Sequence, residues 1–88
     1  MNFEIAPKET EIHANWNDAK LYCFSINIDG KTGWRLPNRE ELCEIFNSEH
    51  DYKPEWYWSC AAYTGYNAGQ QYLYSMVTEK CVRAVRSL

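Results

Sequence analysis

Long apolar runs are missing from this chain. No stretch approaches the roughly 18 residues that a membrane-spanning helix requires, so no membrane association is expected. The opening Met1-Asn2-Phe3-Glu4 offers neither a basic nor an apolar segment. No secretion signal is therefore expected, and the expected compartment is the cytoplasm. Positive charge is also short: 9 Lys and Arg stand against 12 Asp and Glu, for a net charge of −3. General affinity for nucleic acid needs a basic surface, so nucleic acid is not an expected partner. The acidic excess is too mild for a surface that imitates DNA. Internal repeats, low-complexity segments and linkers are absent.

Aromatic mass is what the chain does have. Aromatic residues make up 16% of its 88 residues, with 4 Trp and 7 Tyr. A chain of this length makes one domain, residues 1–88, with one core and little surplus stability. Aromatic side chains bury large areas and help so small a core to close; they are also enriched at interfaces.

The organising stretch is Gly33-Trp34-Arg35-Leu36-Pro37-Asn38-Arg39-Glu40-Glu41-Leu42. Trp34 and Leu36 alternate with Arg35, as in a short extended segment packed on one side. Pro37 fixes its own φ and keeps Leu36 extended, so no helix runs through this point. Asn38 suits an N-cap, with Glu41 three residues on to reach back to the cap amide. Glu40 and Glu41 favour the positive end of the helix dipole. Leu42, Ile45 and Phe46 supply an apolar face, and this helix should end near Asn47.

Elsewhere the pattern predicts an edge strand over residues 2–6, closed by Pro7. Lys8 to His13 is polar and indeterminate. A first helix is capped by Asn15, with Asp18 at its third position and Trp16, Ala19, Cys23 and Ile26 on one face, Tyr22 alongside. Asn27 to Gly33 reads as a loop, and Ser48 to Glu55 as an exposed connection. Strands are expected over Trp56–Tyr63, Gln70–Val77 and Cys81–Arg86, joined by a loop at Gly65–Gly69 and a turn at Thr78–Lys80. In the first, Trp56, Trp58, Cys60 and Ala62 share one face and Tyr57, Ser59, Ala61 and Tyr63 the other. Val82 and Val85 have opposite parity, which leaves the inward face of the last strand ambiguous. Helices followed by strands argue for α+β, two helices packed on a small antiparallel sheet.

The Gly-Trp-Arg-Leu-Pro-x-Arg-x-Glu-Leu stretch resembles the signature of the Lcl C-terminal domain family. Trp16-Asn17-Asp18-Ala19-Lys20-Leu21-Tyr22-Cys23 looks like that family's first helix. Tyr57-Trp58-Ser59 and Val82-Arg83-Ala84-Val85-Arg86 look like two of its strands, and the likeness covers most of residues 16–86. It implies a compact C-type-lectin-like domain whose first and last strands meet. Some family members carry a Cys where this chain has Ala84, as a partner for the first-helix Cys. Here that leaves Cys23 with Cys81 as the remaining pairing, should a disulfide form.

Each chemical constellation meets a plainer alternative. Cys23, Cys43, Cys60 and Cys81 allow three disulfide connectivities, but a cytosolic chain keeps its thiols reduced. The same cysteines with His13 and His50 lack a Cys-x-x-Cys knuckle, so no metal is expected. No base is tied to a nucleophile, so an enzyme is not expected and no cofactor is implied. Glu49, Asp51 and Glu55 share one loop but carry no calcium-lectin motif. The resemblance also implies a sulfated glycan, which some relatives bind and which would want Arg35, Arg39, Arg83 and Arg86 clustered; structural pairing with Glu40, Glu41 or backbone carbonyls is the alternative.

The expected function is a non-catalytic recognition module. A protein partner is preferred, in the manner of small phage or mobile-element proteins that modulate a host enzyme; a sulfated-polysaccharide-binding module of an exported protein is the alternative, and a Cys- or metal-dependent enzyme ranks below both. The binding residues expected are Tyr63, Tyr66, Asn67, Gln70 and Tyr72, in a stretch rich in Tyr, Gly and Asn like adaptable binding loops. The 48–55 loop is the secondary candidate.

Overall fold

The computed structural model describes residues 2–48 and 55–88. Local chemistry accounts for both helices. Helix α1 (Trp16–Ser25) starts at Asn15, whose Oδ1 accepts the Asp18 amide at 2.9 Å. Trp16, Ala19 and Cys23 are its buried positions. Helix α2 (Arg39–Ser48) starts behind Pro37 with a reciprocal box. Asn38 Oδ1 accepts from the Glu41 amide and Glu41 Oε1 accepts from the Asn38 amide, both at 2.8 Å. Leu42 and Ile45 are buried beneath it, with Phe46 half-buried alongside.

The strands, in chain order, are β1 (Phe3–Ile5), β2 (Ile12–Ala14), β3 (Trp34–Arg35), β4 (Tyr57–Trp58), β5 (Thr64–Asn67), β6 (Gln70–Leu73), β7 (Lys80–Val82) and β8 (Val85–Ser87). They make two sheets, ordered β1-β8-β3 and β2-β7-β4-β5-β6. All pairs are antiparallel except β4 with β7, which run parallel through Tyr57 and Cys81. The class is α+β, as the sequence implies. The single small antiparallel sheet it suggests is instead two sheets, one of them mixed. β1 lies at a sheet edge, as expected.

The aromatic strand expected over 56–63 is cut to Tyr57–Trp58. A turn follows: the Ser59 hydroxyl accepts from the Ala61 amide at 3.2 Å and donates to the Thr64 carbonyl at 3.0 Å, and Tyr63 takes a left-handed φ of 56°. The alternating burial also fails. Tyr57 and Trp58 are both fully buried, while Cys60, Ala61 and Ala62 are exposed. The reason is that β4 is covered on both faces. Trp58 joins the core half built from Trp16, Ala19, Cys23, Trp34, Leu36 and Val82. Tyr57 joins the other half, with Phe3, Leu42, Ile45, Tyr66, Cys81 and Val85.

Val82 and Val85 differ in parity for a related reason. The expected final strand breaks at Arg83-Ala84; its two pieces belong to different sheets, and Val82 and Val85 point into different core halves. At the break Arg83 is buried. Its Nε donates to the Ala6 carbonyl at 2.7 Å and its Nη1 to Glu11 Oε2 at 2.6 Å, with both side chains 3% exposed. Removing one partner of such a pair strands a buried charge. The connection expected at Ser48–Glu55, with Glu49, His50 and Asp51, lies outside the described residues apart from its two ends.

Candidate functional site

The stretch expected to form one binding loop is two hairpin turns at opposite ends of β5. Tyr63 belongs to the first. Its ring packs on Trp16 at 5.1 Å between centroids, and its hydroxyl accepts from Asn17 Nδ2 at 3.2 Å. Asn67 and Gln70 flank the second, a two-residue turn in which Ala68 and Gly69 have φ of 49° and 91°. Two positive φ values match the right-handed twist of a tight hairpin. Four residues of strand separate the two turns by about 13 Å. Residues 65–67, expected to be loop, are strand.

Tyr66, expected among the binding residues, is turned inward. It is 2% exposed, with its ring against Phe46 at 5.3 Å, so it serves the core. Its alternation with Asn67 on a strand, hidden in sequence by nearby Gly65 and Gly69, sets it inward. Gly65 has a packing role: a Cβ there would lie 2.9 Å from the Tyr74 ring. Tyr72 does stand at the surface, 60% exposed, beside Trp56 and Tyr74.

What the structure brings together is a sheet edge with no further strand beside it among the described residues. β6 is the last strand of its sheet and all four of its residues are exposed. The hydrogen-bonded pairs fall at Asn67/Gln70 and Gly65/Tyr72, and the Tyr74 amide continues the spacing by donating to the Tyr63 carbonyl at 2.9 Å. Gln71 and Leu73 therefore turn their N–H and C=O groups toward the open side. Exposed apolar side chains continue past the strand, with Leu73 at 71%, Met76 at 61% and Val77 at 78%. From Trp56 through Thr78 the chain carries no Asp, Glu, Lys or Arg. Edge strands are ordinarily blunted by charge or proline, and this one has neither. That uncharged stretch is the sequence signal for Leu73, Met76 and Val77, which motif reasoning missed.

No family model, curated protein or solved structure matches the chain.

A second feature is a cleft of about 280 Å³ between α1 and the segment from Trp34 to Asn38. Trp16, Lys20, Phe24, Trp34, Arg35, Leu36, Asn38 and Cys60 line it. Lys20 sits 5.4 Å from the Trp16 ring centroid, a cation–π distance.

Three of the four candidate arginines are held by carboxylates. Arg35 holds Glu41 bidentately at 2.7 and 2.6 Å, Arg83 holds Glu11, and Arg86 reaches Glu4 at 3.1 Å and the Thr32 carbonyl at 2.7 Å. The bonds from Arg35 keep the Glu41 carboxyl below its ordinary value, against a smaller opposing effect of burial. All four cysteines are thiols. Cys23 and Cys81 are buried in different core halves, and burial pushes each thiol up to about 12. His13 pairs with Glu55 at 2.7 Å on the surface. Among the described residues no group of three or more His, Cys, Asp or Glu could hold a metal ion, and no helix is long and apolar enough to cross a membrane.

Proposed function

We propose that this chain is a non-catalytic recognition module of C-type-lectin-like type, taking an extended segment of a protein partner along the open edge of β6. The observation that carries the proposal is an uncharged edge strand, exposed at every residue, with outward backbone groups at Gln71 and Leu73 that have no partner among the described residues and apolar side chains at Tyr72, Leu73, Met76 and Val77. An added strand would gain main-chain hydrogen bonds from the edge and specificity from alternate side chains. Asn67 and Gln70 at the hairpin tip and Tyr72 on the strand are the contact residues retained from the sequence. The pairing of β1 with β8 supports the lectin-like assignment, since the resemblance implies that the first and last strands meet. Four unpaired thiols support a reducing, cytoplasmic setting, in which a phage-type modulator of a host enzyme would act. A sulfated glycan is the weaker alternative, because Arg35, Arg83 and Arg86 are already held by carboxylates.

The test compares wild type with Gln71→Pro as bait in cell lysate, read by mass spectrometry. Position 71 offers its N–H outward, so proline there blocks strand addition without cutting a bond to β5. A protein captured stoichiometrically by wild type and lost with the folded variant is the expected result. The same proteins on both baits, or none on wild type, would overturn the edge as the site.

A further inference from the structure

We propose that the cleft between α1 and the Trp34–Asn38 segment is a binding site for a small aromatic carboxylate, separate from the β6 edge. Trp16, Lys20 and Phe24 recur every four residues, so α1 presents them as one stripe along the cleft. Trp34, Arg35, Leu36 and Asn38 supply further lining from the facing segment, with Cys60 beside them. Both indole N–H groups are already spent. Trp16 Nε1 donates to the Ser59 carbonyl at 2.9 Å and Trp34 Nε1 to the Lys31 carbonyl at 3.0 Å. The tryptophans therefore offer a ligand ring carbon rather than hydrogen bonds. Phe24, 82% exposed, extends the apolar surface to the mouth.

Charge around this cleft is one-sided. No acid lines it. Arg35 is committed to Glu41 and to Ser87 Oγ, whereas Lys20 meets no carboxylate among the described residues. In a chain of net charge −3, the cleft thus joins an apolar recess to an uncompensated ammonium. A ring with a carboxylate satisfies both. A neutral ring leaves Lys20 unpaired, and a small ion without a ring leaves the apolar walls wet. A sugar would find few polar partners, since Asn38 is the only neutral amide among the described lining residues. Size agrees: a cavity of about 150 Å³ takes benzene, so about 280 Å³ takes one ring with a short acidic arm.

The test titrates trans-cinnamate into the isotope-labelled protein and follows the indole N–H resonances of the 4 tryptophans by NMR. The expected result is a saturable 1:1 shift of the Trp16 and Trp34 resonances, with Trp56 unmoved. Lys20→Met keeps the aliphatic stem and removes the charge at an exposed position, so the spectrum should remain that of a folded protein. It should weaken binding about tenfold, the worth of one partly screened ion pair. Cinnamamide, which lacks the charge, should bind wild type about tenfold more weakly for the same reason. No saturable shift at millimolar cinnamate, shifts centred on Trp56, or equal affinity for the acid and the amide would each overturn the proposal. So would a Lys20→Met protein that binds as tightly as wild type.

Discussion

Replacing Glu41 by Gln probes the junction that ties the start of α2 to strand β3. The carboxylate takes two charge-assisted bonds from Arg35, at 2.7 and 2.6 Å, and one from the Asn38 amide at 2.8 Å. Gln keeps the shape and one carbonyl oxygen, so the helix cap survives in part and the bidentate pair does not. Hydrogen bonds to charged groups contribute about 1.5–3 kcal/mol each. The Arg35 side chain is 38% exposed and regains water when its partner is lost, which moves the expected total cost down to about 1.5–2 kcal/mol. In a domain of this size that is roughly 6–16 °C in Tm. Acid gives an independent check. The folded pKa of Glu41 lies below 4.5, so its contribution is complete above that value and drains away as pH falls through the lowered folded pKa. Circular dichroism melts of both proteins across a pH series should show the full gap near neutrality and a closing gap in acid. A gap that stays constant into strong acid would refute the carboxylate charge as its source. No gap at neutral pH would refute the energetic role of the pair.

Trp34→Ala should cost about 3–5 kcal/mol, because the indole is 3% exposed in the α1 half of the core; a variant that melts within a few degrees of wild type would place the ring outside it. Tyr66→Ala should lose a similar amount, and Tyr72→Ala less than about 1 kcal/mol, in parallel melts; the reverse order would mean that the assignment of buried and exposed tyrosines is wrong. Without denaturant, alkylation should modify Cys43 and Cys60 and spare Cys23 and Cys81, with all four reacting once the chain is unfolded. An intact mass short by two or four hydrogens before alkylation would reveal disulfides and contradict the free thiols.

Local chemistry was legible in this sequence, and non-local chemistry was not. Asn15 and Asn38 announce helix starts because a cap is satisfied within three residues, and Pro37 forbids helix regardless of what packs around it. Arg35 and Glu41 are six residues apart, close enough for their pairing to be anticipated. Arg83 with Glu11 joins the two ends of the chain, and nothing local marks it. Tyr57 and Trp58 defeat an alternating pattern because β4 is covered on both faces, which no single strand can signal. The broken strand at Arg83-Ala84 left its trace as the clash of parity between Val82 and Val85; the trace was visible, but only the two sheets explain it. Tyr66 misleads because its glycine-rich surroundings resemble a loop, while Gly65 is small to admit the Tyr74 ring. The cleft gathers residues from α1, β3 and the turn after β4, so no short motif could have contained it.

The pairing of β1 with β8 has a mechanical consequence. Phe3 faces Ser87, and the Asn2 carbonyl accepts from the Leu88 amide at 3.5 Å, so the two ends of the described chain leave the fold side by side. Any polypeptide joined to both ends would run out and back at one point, and the domain would hang from it as a side branch without lengthening it. A pull on those ends would load the pairs Phe3/Ser87, Glu4/Arg86 and Ile5/Val85 one after another, as a zipper opens, rather than shearing them together. The terminal sheet would therefore yield at low force, while the β6 edge lies in the other sheet and bears none of the first load.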